Sequence, residues 1–308
     1  MVGEKELRIL STLDSPKQRQ ELADELGYQK STISRALGTL EQLDLIYKDR
    51  KGNQTIANPT NARCIEVLQS LTKSNPHIDF PDLFTSSMLN VLYYLNSREP
   101  WTATELAERT EHSRATIYRS LKTLTNRAMA IKEQSRYKLT GDFNELHTFA
   151  YELRHHIHQV RIKRDVEGGT IVRESHKEFL VQTEKAVENS DYHRTGLDAF
   201  AEYGLQFFTT SERYYFYSEK RDSLTPEDVV CHLLLIENDS RHRKYALLLV
   251  AETGVSLEKL AESAKDYGIM EVVAPLIDFL RTQGEISSDR TPQWEEFETL
   301  ASDYGVDL

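Results

Sequence analysis

The chain is short of cysteine, tryptophan and methionine: its 308 residues hold two Cys, two Trp and four Met. Two thiols, Cys64 and Cys231, cannot build the disulfide framework of a small secreted domain, and each lies in an apolar segment, so both read as free core residues in a reducing compartment. No apolar run approaches the roughly 18 to 20 residues that a bilayer span requires. The first residues also lack the basic-then-apolar order of a secretory leader, so the expectation is a cytoplasmic protein with no membrane anchor. Catalytic signatures are missing as well. There is no G-x-x-x-x-G-K loop, no G-x-S-x-G elbow, no H-E-x-x-H and no C-x-x-C. Asp228 and Glu237 flank an expected strand, but no acid stands two residues before a lysine on the next, so the carboxylate and lysine set of metal-assisted cleavage is lacking. Enzyme activity is therefore not expected, nor is a cofactor.

What is present is unevenly distributed charge. The net charge is −11, yet residues 1–165 hold 24 Lys and Arg against 21 Asp and Glu, whereas residues 166–308 hold 14 against 28. An acidic second half repels phosphates, while the first half can meet them if its cations gather on one surface.

The first half also repeats itself. Residues 21–46 align without a gap on residues 105–130, at an offset of 84, with nine identities in 26 positions. The identical residues in the first copy are Glu21, Leu22, Ala23, Thr32, Ile33, Arg35, Leu37, Thr39 and Leu40. In that copy the pattern predicts helices over residues 4–13, 18–26 and 31–43, with Gly27 supplying the turn between the last two. Ile33, Leu37 and Leu40 share one helical face; Ser31, Ser34, Arg35 and Gly38 share another. The second copy sets Ile117, Leu121 and Leu124 inward and Ala115, Tyr118, Arg119 and Lys122 outward. A two-stranded wing is expected after each third helix, over 45–48 and 54–57, then 130–133 and 136–139, the first closing on Gly52-Asn53.

Such outward faces suit the major groove of double-stranded DNA. Small residues let a helix approach base edges, and an arginine near its start grips guanine with two hydrogen bonds. The candidate contacts are Lys30, Ser31, Thr32, Ser34 and Arg35 with Lys48, Arg50 and Lys51 on the wing, and Ser113, Arg114, Thr116, Tyr118, Arg119 and Lys122 in the second copy. For Tyr118 two readings stay open, stacking on a sugar or covering its own helix. The runs Leu22-Ala-Asp-Glu-Leu, Lys30-Ser-Thr-Ile-Ser-Arg and Leu40-Glu-Gln-Leu-Asp-Leu-Ile resemble winged-helix regulators of the MarR and ArsR type. That resemblance implies recognition of DNA by the third helix, here residues 30–43. The second copy departs from the pattern, with Thr110-Glu111-His112 at the turn and a shorter wing.

The prolines and turn formers of residues 73–82 mark a division between the copies. A long helix over residues 142–164 follows the second wing, and Phe143, Leu146, Ala150, Leu153, Ile157 and Val160 form a heptad stripe along it. That stripe either pairs two subunits into a homodimer reading a palindrome or packs on its own domains. His155, His156 and His158 lack a further ligand at metal spacing, so a solvated face is expected there and no metal site.

Beyond Glu167-Gly168-Gly169 the composition changes. Strands are expected over 170–175 and 178–184, a helix over 196–203, strands over 213–218, 229–236 and 244–250, then helices over 256–267, 270–282 and 292–303. Tyr214, Tyr215, Phe216 and Tyr217 either line a pocket or alternate between core and surface. The run Thr195-Gly-Leu-Asp-Ala-Phe-Ala-Glu-Tyr-Gly, the stretch through Asp228-Val-Val-Cys-His-Leu-Leu-Leu-Ile and Tyr267-Gly268 are similar to the carboxyl-terminal region of AbiEi-type antitoxins. That likeness implies repression of an operon shared with a nucleotidyltransferase toxin. The expected architecture is α+β and mainly α: two winged helix-turn-helix domains (1–74 and 83–141), a connecting helix (142–166) and an acidic α+β domain (167–308). Its expected role is that of a DNA-binding regulator and repressor. A metabolite-responsive regulator and a winged-helix interaction scaffold are the alternatives.

Overall fold

The computed structural model describes residues 2–52, 54–207 and 211–308. Its architecture is α+β and mainly α, in two compact units, Met1–Val160 and Arg161–Leu308.

The first unit opens with α1 (Glu4–Thr12), β1 (Lys17–Gln18), α2 (Arg19–Leu26), α3 (Lys30–Gln42), β2 (Ile46–Lys51) and β3 (Gln54–Pro59). The strands form an antiparallel sheet in the order β1-β3-β2, with β2 and β3 as the wing. Leu7, Ile9 and Leu10 of α1, Leu22 and Ala23 of α2, and Ile33, Leu37 and Leu40 of α3 are buried together, as the 3.6-residue period demands. Gly27 ends α2 at φ 67°, a left-handed turn that glycine adopts without strain. Asn53, the second residue of the expected wing turn, lies outside the described residues.

After α4 (Arg63–Ser74) and α5 (Phe80–Leu83), the plan recurs as α6 (Ser86–Tyr94), β4 (Trp101–Thr102), α7 (Ala103–Thr110), α8 (Arg114–Asn126), β5 (Ala130–Glu133) and β6 (Arg136–Leu139). The strand order is β4-β6-β5. Helices α7 and α8 start and stop 84 residues after α2 and α3. The departure at Glu111 leaves the turn intact, since Glu111 takes the left-handed conformation itself at φ 57°. Asp44 and Ala128, also equivalent, are left-handed at φ 50° and 55°. At each site the following N–H closes the preceding helix, Leu45 on the Leu40 carbonyl after α3 and Met129 on the Leu124 carbonyl after α8. The foot of each wing is clamped by a threonine: Thr60 Oγ1 donates to the Leu45 carbonyl and Thr140 Oγ1 to the Met129 carbonyl.

Helix α9 (Glu145–Asp165), preceded by a 3₁₀ turn at Gly141–Phe143, shows how the heptad stripe is used. Leu146, Ala150 and Leu153 are buried in the single core shared by both winged helices, and Phe143 and Ile157 pack against it. Phe149 stacks on Phe84 with centroids 4.7 Å apart. His147 Nδ1 donates to the Leu92 carbonyl at 3.0 Å, and His156 Nε2 to the Leu43 carbonyl at 2.7 Å. The expected dimer seam is thus corrected to an internal clamp holding the two copies, with Val160 left half-buried at its end. The histidines are corrected too. His156 is engaged as described, His155 bonds Gln159 at 2.8 Å and His158 is buried, so this is no solvated face. Nor do residues 73–82 divide two domains: Phe80, Leu83 and Phe84 lie inside the common core, and Arg8 of α1 pairs with Asp79 at 2.8 Å.

The second unit holds an antiparallel sheet in the order β7-β8-β10-β9, from β7 (Thr170–Glu174), β8 (Glu178–Thr183), β9 (Tyr192–Thr195) and β10 (Arg213–Ser218). A 3₁₀ helix, Gly196–Tyr203, follows β9. Then come α10 (Pro226–Ile236), α11 (Ser240–Thr253), α12 (Leu257–Asp266), α13 (Met270–Arg281) and α14 (Trp294–Tyr304). Two expected strands are corrected to α10 and α11. Their apolar runs are buried nearly all round, which removes the polar face that marks a helix in sequence. Their ends are nevertheless those of helices. Thr225 and Asp228 form a capping box with Pro226 at the first position, Asp239 caps α11, and Gly254 closes it.

Candidate nucleic-acid interface

The recognition helices rest on equivalent supports. In the first copy Glu21 accepts the Gln18 N–H at 2.7 Å, fixing the start of α2. In the second, Glu105 accepts the Thr102 N–H at 2.7 Å, and Thr102 accepts the Glu105 N–H at 3.1 Å. The Thr102 N–H first, then the Thr102 hydroxyl and Arg136, hold the Glu105 carboxyl below its usual range against the opposing effect of burial. Arg136 pairs with Glu105 at 3.0 Å, tying the second wing to α7.

On α3, Lys30, Ser31, Ser34 and Arg35 are exposed, and Thr32 is half-buried. Burial of Ile33, Leu37 and Leu40 aims this face outward. Between α3 and its wing lies a polar cleft of about 320 Å³ lined by Arg19, Ser34, Leu37, Glu41, Lys48, Arg50 and Thr55. Among the described residues the side chains of Arg19, Lys30, Arg35, Arg50 and Lys51 carry no ion pair. Lys48 differs: its ammonium is 2.7 Å from the Glu41 carboxylate, so it is held on the protein's own recognition helix. Such a half-exposed pair is worth under about 1 kcal/mol. Arg19 and Thr55 escaped the sequence reading. An unpaired arginine at the start of the helix that crosses the backbone was the available signal for the first.

On α8, Arg114, Ala115, Tyr118, Arg119 and Lys122 are exposed, and Tyr118 keeps 52% of its surface. Ser113 and Thr116 serve the helix start: Ser113 Oγ accepts the Thr116 N–H at 3.3 Å, and the two hydroxyls are 3.0 Å apart. The matching cleft, about 460 Å³, is lined by Tyr118, Lys122, Thr125, Ala130, Ile131, Lys132 and Tyr137. Ile131, Lys132 and Tyr137 were also missed; an isoleucine at an outward wing position was the clue.

The acidic unit offers a different surface. Tyr215, Phe216 and Tyr217 are all buried, Tyr215 and Tyr217 on one face of the sheet and Phe216 against His232 and Tyr267 on the other, so β10 is covered on both sides and the simple alternation fails. Of the four, Tyr214 lines a cleft of about 170 Å³ with Leu197, Glu237, Arg241 and His242 among its neighbours. Asp228 is buried at the start of α10, where it pairs with Arg221 and accepts from the Thr225 N–H and the Tyr267 hydroxyl, each at 3.0 Å. Burial would raise its carboxyl, but the Thr225 N–H and Arg221 hold it below the usual range. His232 is wholly buried, with Nδ1 2.9 Å from Thr195 Oγ1 and Nε2 lacking a partner among the described residues. Burial brings its pKa down to about 3. Glu237, Asp239 and His242 are close enough to hold a metal ion, but Asp239 is spent on capping α11, accepting the His242 N–H at 2.8 Å and its ring Nδ1 at 2.7 Å. Burial also pushes the Cys64 thiol up to about 12 and raises that of Cys231, so neither is a ready nucleophile.

These features define a protein with two winged helices in one compact unit and a separate α+β unit. Residues 5–50 match the IclR helix-turn-helix domain, residues 88–137 an HTH domain, and residues 189–306 the C-terminal family HVO_2833_C. The two HTH matches support a DNA-binding transcription regulator. No family match accompanies the likeness to AbiEi-type antitoxins, and no curated protein matches the chain. Among the described residues no helix is long and apolar enough to cross a membrane.

Proposed function

We propose that the protein is a sequence-specific repressor that reads DNA through α3 and its wing, by binding and without catalysis. The observation that carries this reading is the exposed row Ser31, Ser34 and Arg35 of α3, with Arg50 of the wing lining the same cleft as Ser34 and Lys51 following it on the wing. Arg35 reads a guanine, the small serines let the helix sit deep in the groove, and the wing cations meet phosphates. With the α9 stripe used internally, one chain supplies two recognition helices, so a homodimer is not part of the proposal. Nothing among the described residues of the acidic unit singles out a toxin as partner. A second reading, that this unit takes a small regulatory ligand, is favoured by the cleft at Tyr214 and His242. A ligand there would raise thermal stability and shift DNA affinity by a matching coupling energy.

The test is titration of the full chain onto DNA upstream of its own gene, from about 50 to 200 mM salt, with transcription from that promoter read in parallel. Specific binding that weakens with salt and lowers transcription is expected. Arg35→Ala should cost about 1 to 3 kcal/mol in affinity and relax selection at one base pair. No preference for that DNA over random duplex would overturn the proposal.

A further inference from the structure

The two clefts differ in the chemistry they offer, and the second is apolar where the first is polar. Ser34 of the first copy is replaced by Tyr118, and the acid Glu41 by Thr125. At the mouth of the second cleft Tyr118 is 52% exposed and Ile131 39% exposed, an aromatic and an aliphatic side chain lining the same cleft. Tyr137 lies beneath, only 7% exposed, with the Lys132 ammonium 5.4 Å from its ring centroid. No acid lines this cleft, and Lys122 and Lys132 flank it, so its charge suits a polyanion. Ala115 stands where the first copy has Ser31, so the second residue of α8 is small as well.

We infer that the second winged helix reads thymine: Tyr118 and Ile131 receive the 5-methyl groups of thymines in the major groove while Lys122 and Lys132 hold the adjoining phosphates. Resting on the DNA-binding reading above, this makes the preferred site asymmetric, with a guanine-containing element for α3 and a thymine-bearing element for α8. The thymine methyl is the one apolar group that the major groove presents, and an exposed aromatic and aliphatic pair is the surface that recognises it.

The experiment uses the full chain and a duplex selected by it from a random pool. Each thymine of the enriched element is replaced in turn by uracil, which removes the methyl and keeps every hydrogen-bonding group. The wild-type chain should lose about fourfold in affinity per contacted methyl, and Tyr118→Ala or Ile131→Thr should abolish that sensitivity while leaving the thermal transition unchanged, since both side chains are exposed. If uracil duplexes bind as tightly as thymine duplexes while Arg35→Ala still weakens binding, the DNA reading stands and the thymine inference falls. Unchanged DNA affinity in Tyr118→Ala, with a protein captured by the wild-type cleft, would also overturn it. A wild-type chain that binds no duplex at low salt removes the reading beneath it and the inference together.

Discussion

Ser34, Gly38 and Glu41 of α3 become Tyr118, Lys122 and Thr125 of α8, on helices that begin and end at matching positions, and Tyr47 of the first wing becomes Ile131 of the second. Beneath them Ile33, Leu37 and Leu40 become Ile117, Leu121 and Leu124, unchanged in type and equally buried. Burial admits few substitutes for a leucine that touches the whole core, whereas an outward position on the same helix is held only by what it must contact. The comparison separates what builds a reader from what it reads. If both copies bind DNA as proposed, two unlike surfaces within one chain would read unlike elements, where a symmetric pair of subunits would present the same surface twice.

The largest effects test the shared scaffold. Leu37→Ala and Leu121→Ala should each cost about 2 to 5 kcal/mol in denaturant unfolding of the first unit, since both leave a cavity in one core. Leu153→Ala should cost a similar amount, with a melting temperature independent of protein concentration; a concentration-dependent one would restore the dimer seam. Acid separates the winged helices from the second unit. Because the folded state holds His232 neutral down to about pH 3, against an ordinary value of 6.5, its contribution is intact above pH 6.5 and is lost as the pH falls, by about 2 kcal/mol at pH 5. His232→Gln should flatten that dependence in urea titrations of the second unit. Smaller effects lie in the turns. Gly27→Ala should lose about 1 kcal/mol through its left-handed backbone alone, since a Cβ there meets nothing within 4 Å, and Ala128→Gly should gain about 1. The least is electrostatic: Arg50→Ala should lower the salt slope of DNA binding by about 1 without changing sequence preference.

Much of the first unit was legible because its signals are local. Gly27, Glu21 and the inward leucines fix helix ends and faces within a few residues, and the 84-residue offset doubles each signal. The threonine clamps Thr60 and Thr140 were hidden, since the shorter second wing moves them to an offset of 80. The use of the α9 stripe was not legible either. A heptad of apolar residues records that something covers it, while Leu92, Leu43 and Phe84, which meet α9, come from distant parts of the chain. In the second unit, Val229 to Leu234 is buried throughout and rich enough in valine and leucine to pass for a strand; the Thr225 to Asp228 capping box was the signal that should have outweighed it. Of the candidate interface, the exposed faces of α3 and α8 followed from periodicity. Arg19, Thr55, Ile131 and Tyr137 reach the clefts through strand pairing and helix docking, which no short motif encodes.

The most direct test is the base-by-base preference of the full chain and of Arg35→Ala, measured by selection from a random duplex pool at moderate salt. Enrichment of a defined sequence by the wild type, with one guanine position lost in the variant and the others kept, is the predicted result. An unenriched pool for the wild type, or identical preferences for both chains, would contradict it.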